Sequence, residues 1–180
     1  LQDELLIRRA QRGDADAFEQ LLLEHQKNVY NLCYRMAGNP DDAMDLSQET
    51  FLRAWRCLDQ YQFASAFSTW LYRLCSNICI DFLRRRRRQQ TVPLTFEDAD
   101  GEEQTYAVPD AQPLPEEQVE LKLTRETLAA AMAQLLPEHR AVLQLRVVNE
   151  MSYEQIADVL DIQIGTVKSR LSRARNQLKK

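Results

Sequence analysis

The segment from Ser152 to Lys180 restricts the possible folds of this chain more than any other segment. Ser152 stands three residues before Gln155, and at this spacing the serine caps a helix while the glutamine side chain reaches back to the cap. Residues 161–163 form a short turn before a second helical segment. This order predicts a helix-turn-helix, in which the second helix can enter the major groove of DNA.

The second helix of this motif divides its side chains between two faces. Ile164, Val167 and Leu171 repeat at helical spacing and predict a buried stripe. The opposite face carries hydroxyl groups and cations but no acid, as a helix in the major groove requires. The candidate DNA contacts on it are Thr166, Lys168, Ser169, Ser172 and Arg173. An amphipathic hairpin with a solvated basic face is the alternative interpretation.

Charge is distributed unevenly along the chain, whose net charge is −4 at pH 7. Residues 84–88 are all arginine, and no acidic residue follows Asp161. Residues 89–121 contain acids but no lysine or arginine. Basic segments on either side of an acidic one do not form a randomly solvated surface, so the overall negative charge does not argue against DNA binding.

Hydrophobic periodicity predicts four helices in the first 88 residues. The first covers residues 3–12. The second is capped by Asp14 and ends at Gly38, because glycine readily adopts the left-handed conformation that follows a helix. Pro40 opens the third helix, since proline is tolerated in a first helical turn. The fourth covers about residues 67–88.

Helical periodicity is lost from residue 89 to about residue 115, where prolines and acids dominate. Such a composition buries too little apolar area to offset the entropy of ordering. Helices are predicted again over residues 116–136 and about 138–149. We therefore predict an all-α fold of two small helical domains, residues 1–88 and 116–180, joined by a flexible acidic linker over residues 89–115. The second domain ends in the helix-turn-helix.

The four cysteines, Cys33, Cys57, Cys75 and Cys79, lie in apolar helical surroundings. Cys75 and Cys79 are four residues apart and share a helix face, so a metal could bind there. Neither histidine is near them in sequence, and the spacing fits no structural zinc signature. We expect buried, reduced thiols and no metal, with a metal or redox role as the alternative.

Aromatic residues lie just before the arginine run, an arrangement with which proteins hold unstacked bases. Tyr61 and Phe63 fall in an aperiodic loop and are the candidate contacts. Asn77 could read a base edge or satisfy a neighbouring group. Arg84 and Arg85 are candidate contacts to the DNA backbone, although cations at a helix end can also be merely solubilising.

The chain contains no apolar run near the ~18 residues of a transmembrane helix. Its first residues lack the pattern of a signal peptide, so we expect a cytoplasmic location. No phosphate loop, nucleophile–base pair or metal-ligand cluster stands out. We therefore expect no catalytic residue, no cofactor and no small-molecule substrate.

Four motifs, in this order, resemble the extracytoplasmic-function (ECF) class of bacterial sigma factors. They are DLSQETF at 45–51, FSTWLYR at 67–73, SYEQIA at 152–157 and GTVKSR at 165–170. The resemblance covers nearly the whole chain. It implies a factor that binds core RNA polymerase, directs it to promoters and helps open the −10 region, with the second domain on the −35 element.

The resemblance also implies roles for particular residues of the first domain. Asp45, Gln48 and Glu49 match the face that docks on the coiled coil of the largest polymerase subunit, and carboxylates suit an arginine-rich partner. Phe63 and Asn77 match positions that line a pocket for a flipped-out base of the −10 element.

Further implications concern the second domain and the partners. Arg146 matches a −35 contact, together with the outer face of the last helix. Ser172 is small where some relatives carry an aromatic residue. An anti-sigma factor, in this family often membrane-bound, is an expected partner.

Two other functions remain as alternatives. A general helix-turn-helix regulator with a sensory first domain would carry the same second domain, but it has no reason to carry the motifs at 45–51 and 67–73. A nucleic-acid enzyme would need preorganised carboxylates, which a flexible acidic linker does not provide.

Overall fold

The computed structural model describes residues 2–91 and 127–179, and the regular structure in these ranges is helical. The first domain contains α1 (Gln2–Ala10), α2 (Ala15–Ala37), α3 (Pro40–Cys57), a short 3₁₀ turn (Leu58–Gln60) and α4 (Phe67–Thr91). The second contains α5 (described over 127–134), α6 (Pro137–Val147), α7 (Tyr153–Leu160) and α8 (Ile164–Leu178). The prediction of an all-α fold with two helical domains is confirmed.

Local signals place the ends of α2 and α3. The Asp14 side chain accepts a hydrogen bond from the Ala17 amide at 3.1 Å and caps α2. Gly38 ends α2 with φ of +89°, a conformation that glycine adopts without steric cost. Asn39 then caps α3 by accepting from the Asp42 amide at 2.9 Å. The second helix therefore passes into the third through two residues, and the two helices pack as neighbours.

The core of the first domain lies where α2, α3 and α4 meet. Leu21, Leu32 and Leu71 are each at most 2% exposed and belong to the periodic stripes predicted for α2 and α4. Burial of one such side chain stabilises the fold by about 1.5–3 kcal/mol. These contacts hold the three helices together and fix which faces of α3 and α4 point outward.

The helix-turn-helix is formed by α7 and α8. The Ser152 hydroxyl accepts from the Gln155 amide at 3.2 Å, and the Gln155 side chain accepts from the Ser152 amide at 2.8 Å. Asp161 ends α7 in the left-handed conformation, with φ of 52°. Ile156 and Val167 are fully buried between the helices. The predicted capping box is confirmed, and the buried stripe is confirmed at Val167 and Leu171. The prediction is wrong for Ile164, which is the first residue of α8 and is 39% exposed.

Helix boundaries differ from the predictions at several places. Helix α5 ends at residue 134 rather than 136, and α6 ends at Val147 rather than at about residue 149. The first helix ends at Ala10 rather than at residue 12, because the Gly13 amide bonds the Ala10 carbonyl and turns the chain toward α2. The fourth helix continues to Thr91, past the expected domain boundary at residue 88. The rest of the predicted linker and the segment 116–126 lie outside the described residues.

The two domains contact each other through α4. Arg73 donates to the backbone carbonyl of Asp158 on α7. The Arg84 Nε atom donates to Glu138 of α6 at 2.8 Å. Helix α4 therefore serves both as a core element of the first domain and as the main surface against which the second domain packs. Helix α2 also contacts α6. Among the described residues, none of the helices is both long and apolar enough to cross a membrane.

Candidate nucleic-acid interface

The outer face of α8 is assembled as its sequence predicts. Lys168, Ser169, Ser172 and Arg173 are exposed, whereas Val167, Leu171 and Ala174 are at most 3% exposed. Thr166 is half-buried, and its carbonyl accepts from the Ser169 hydroxyl at 3.0 Å. The cationic and hydroxyl side chains thus share one solvent-facing surface, while the aliphatic side chains fix the helix to its domain.

Tyr153 organises two of the candidate contacts. The Arg146 guanidinium carbon lies 5.2 Å from the centre of the Tyr153 ring, and the Lys168 ammonium lies 5.9 Å from it. Both distances are within the range of cation–π attraction. Arg146 also donates to the Met151 carbonyl at 2.8 Å. The ring therefore brings cations of α6 and α8 together, a contact between helices that no local sequence pattern indicates.

His139 lies buried beneath the cationic surface of α8, with 9% of its area exposed. Burial lowers the pKa of its imidazole, and the guanidinium groups of Arg173 and Arg170 lower that pKa further. Glu138 opposes this effect. A neutral imidazole at this position adds no charge to the repulsion among the neighbouring arginines.

The candidate −10 loop packs as an aromatic cluster. Tyr61 is only 6% exposed, and its hydroxyl donates to the Ser65 carbonyl at 2.6 Å. Its ring centre lies 5.3 Å from Trp70 and 4.9 Å from Phe63. Tyr61 thus supports the loop from below instead of standing on its surface, and its direct contact with a base stays a prediction.

Phe63 is half-buried and has a φ of 60°, a conformation that costs a non-glycine residue about 1 kcal/mol or more. The Arg8 guanidinium lies 4.6 Å above its ring. A side chain from α1 therefore covers a face of the ring that stacking on a base would use. The sequence does not predict Arg8 as a site residue, since nothing in it connects α1 with this loop.

The polar candidates on α4 lie in different surroundings. Asn77 is exposed, as a base-reading amide must be. Arg84 and Arg85 are also exposed, but Arg84 pairs with Glu138 of the second domain. Arg85 donates to the Asp81 carbonyl of its own helix at 3.3 Å. In this arrangement, contact of Arg84 with a phosphate would require it to leave Glu138.

The candidate polymerase face lies on α3. Asp45, Gln48 and Glu49 are all exposed. Gln48 also lines a groove of about 690 Å³ between α2 and α3. Met44 and Leu52, which line the same groove, are each 51% exposed. The predicted polar face thus continues into an apolar surface that the charge pattern alone did not reveal.

Comparison with known proteins assigns the chain to a family. The model of sigma-70 region 2 matches residues 21–89, and that of sigma-70 region 4 matches residues 125–178. The ECF RNA polymerase sigma factor SigW of Bacillus subtilis is 33% identical over 97% of this chain and 93% of its own length. The chain belongs to the ECF sigma factors. The RNA polymerase sigma-H factor of Pseudomonas aeruginosa is 37% identical over 99% of this sigma factor and 93% of its own length.

A solved structure shares the fold of this sigma factor. It is the sigma factor RpoE of Bartonella quintana, in complex with the anti-sigma factor NepR. The identity is 27% and the TM-score is 0.62, over 90% of this chain and 94% of that chain. The region 2 match contains α3, the aromatic loop and nearly all of α4, and the region 4 match contains the helix-turn-helix.

Proposed function

We propose that this sigma factor binds core RNA polymerase and promoter DNA at the same time, and that its two domains divide the promoter between them. The second domain holds the −35 duplex through α8. The first domain holds polymerase through α3 and captures the melted −10 strand through the aromatic loop and α4. One observation carries this proposal: the sigma-70 region 2 and region 4 matches fall on separate helical domains with differently built surfaces.

Duplex binding follows from the surface of α8. The helix contains no acidic residue, and it exposes Lys168 and Arg173 beside hydroxyl groups. Cations of this kind release counterions from phosphates, and they also donate to acceptors on base edges. Arg146, held against Tyr153, extends the cationic surface beyond α8. Binding should therefore weaken steeply with salt, by about 0.9 log units per tenfold salt for each phosphate that is neutralised.

Strand capture requires a base to leave its stack, at a cost of a few kcal/mol. Stacking on an aromatic ring returns about 1–3 kcal/mol per base. Phe63 is the ring best placed for this role, because it lies at the loop surface on a floor formed by Tyr61. A base would take the position above the ring that Arg8 occupies. Asn77 offers an exposed amide on α4 for reading the captured base.

Polymerase binding is assigned to Asp45, Gln48 and Glu49. Their polar groups suit the basic coiled coil expected of the largest subunit. The neighbouring apolar groove would add non-polar area to the interface with polymerase. We further propose that the protein works in the cytoplasm, that an anti-sigma factor controls it, and that it catalyses nothing itself. Strand separation is then driven by the binding energy of polymerase and DNA.

The experiment that tests this division uses two double variants and two binding measurements. Lys168→Ala with Arg173→Ala should weaken binding to a −35 duplex at least about tenfold and leave binding to core polymerase unchanged. Asp45→Ala with Glu49→Ala should do the opposite. Arg12→Ala with Arg35→Ala removes two exposed cations outside α3 and α8, and this variant is the control for the charge lost in the first double variant. The division fails if either double variant weakens both interactions equally.

A further inference from the structure

Three of the four cysteines meet in the core of the first domain. The Cys33 sulfur on α2 lies 3.5 Å from that of Cys75 and 3.9 Å from that of Cys79, both on α4. The three sulfur atoms all lie within 4.8 Å of one another. Each residue is completely buried. The pair that shares a face of α4 is visible in the sequence, but the third sulfur comes from a helix more than forty residues earlier.

The distances between the sulfur atoms are close to those between sulfur ligands of a single metal ion. A bond from sulfur to a thiophilic ion such as zinc is about 2.3 Å long, so sulfurs that share such an ion tetrahedrally lie about 3.8 Å apart. The two measured separations of 3.5 Å and 3.9 Å bracket this value. The helices therefore already hold the thiols where three bonds to one ion could form with small side-chain movements.

The three thiols are linked by hydrogen bonds, so that the pKa of each depends on the others. Hydrogen bonds from the thiols of Cys75 and Cys79 to the Cys33 sulfur lower the pKa of Cys33 below its ordinary value. The pKa of Cys75 is raised by its bonds to Cys33 and Cys79 and by burial, and that of Cys79 is also raised. These hydrogen bonds hold the three sulfur atoms together inside the core.

The buried surroundings of the three sulfur atoms favour a bound ion that leaves the site without net charge. A net charge in a dry interior is strongly unfavourable. With three thiolates, a monovalent ion forms a complex of net charge −2 and a divalent ion one of net charge −1. A trivalent ion forms a complex without net charge. A divalent zinc ion would in addition need a fourth ligand to complete its tetrahedron.

We propose that Cys33, Cys75 and Cys79 form a binding site for a trivalent thiophilic metalloid, taken up as neutral arsenous acid. Three arsenic–oxygen bonds break and three arsenic–sulfur bonds form. Each thiol proton leaves with one hydroxide as water, and no electrons are transferred. The product is uncharged, and it links α2 to α4 inside the core, which stabilises the first domain against unfolding.

The test adds sodium arsenite to the full-length reduced protein and measures bound arsenic, reactive thiols after denaturation, and the melting temperature. The wild-type protein should bind one arsenic per chain, lose three titratable thiols and melt at a higher temperature. Cys57→Ala is the matched control, because Cys57 lies outside the cluster, and this variant should bind arsenic as the wild type does.

Cys33→Ser and Cys79→Ser each remove one sulfur from a different helix, so that one variant remains informative if the other does not fold. Each should bind arsenic more weakly by more than about tenfold. The proposal is overturned if the wild type binds no arsenic, if these variants retain wild-type affinity, or if Cys57→Ala abolishes binding. It is also overturned if zinc at equal concentration displaces the arsenic. None of these measurements depends on transcription, so their outcome is independent of the proposed function.

Discussion

His139 couples the stability of the second domain to pH. Burial, followed by Arg173 and Arg170, lowers the pKa of the folded imidazole below its ordinary value of 6.5. The unfolded chain therefore binds more protons near that pH, and the free energy of unfolding falls as pH drops through about 6.5. We expect the protein to be less stable at about pH 5.5 than at about pH 7.5, as measured by urea unfolding.

The variant His139→Gln should lose most of this pH dependence, because it has no imidazole to protonate beneath α8. His25→Gln replaces the other histidine, in the first domain, and serves as the control. An unchanged pH profile in His139→Gln would show that the dependence arises elsewhere.

A substitution at Gly165 should affect folding stability and DNA binding in different ways. A β-carbon at this position would meet no atom within 4 Å, and glycine is exposed there at the start of α8. Gly165→Ala should leave stability unchanged or raise it by up to about 1 kcal/mol, because alanine favours helix. It should weaken −35 duplex binding, since a phosphate that bound at the N-terminus of α8 would meet the added methyl group. If the wild type and Gly165→Ala bound the duplex with equal affinity, Gly165 would not lie in the DNA interface.

Individual side chains differ in how far the sequence predicts them. The exposure of Lys168 and Arg173 follows from helical periodicity, which is a local property. The burial of Tyr61 and the position of Arg8 over Phe63 depend on how α1 and α4 pack around the loop. No spacing along the chain carries that information, so the polar surface of α8 could be predicted and the support of the aromatic loop could not.

Helix α7 depends strongly on its cap, because it has only eight residues. Ser152→Ala removes the acceptor for the Gln155 amide and should destabilise the second domain by about 1 kcal/mol. Chemical unfolding followed by far-ultraviolet circular dichroism measures this loss. Ser152→Asp keeps an acceptor at the cap and should restore most of the stability. If both variants were equally destabilised, the cap would not be the cause.

Helix starts and stops could be predicted where a side chain or a glycine acts alone. Asp14, Gly38, Pro40 and Ser152 all mark boundaries as expected. The extension of α4 past residue 88 could not be predicted in this way. Five consecutive arginines give no stop signal, and two of them pair with carboxylates elsewhere in the chain, Arg84 with Glu138 and Arg86 with Asp42.

On the scale of the whole molecule, the contact between the domains is the least predictable feature, because it joins residues far apart in sequence. Arg84→Glu places two acids together where Arg84 meets Glu138, and it should shift the protein toward separated domains, with a larger radius of gyration in small-angle X-ray scattering. The pair is partly exposed, so the shift corresponds to at most about 1 kcal/mol.

The reversed pair, Arg84→Glu with Glu138→Arg, should restore the smaller radius. Arg85→Glu is the matched control, because the neighbouring Arg85 bonds only within α4 among the contacts that the structure describes for it. An expansion of the Arg85→Glu variant equal to that of Arg84→Glu would mean that the total charge of α4, and not the ion pair, governs the domain contact.

We propose that this chain gives RNA polymerase its promoter specificity. The most direct test of this claim adds the purified protein to core polymerase and fragmented genomic DNA and maps the 5′ ends of the transcripts. We expect a limited set of start sites that share upstream elements near −35 and −10 and that disappear with Lys168→Ala and Arg173→Ala. Transcripts that begin at the same positions with and without the protein would contradict the claim.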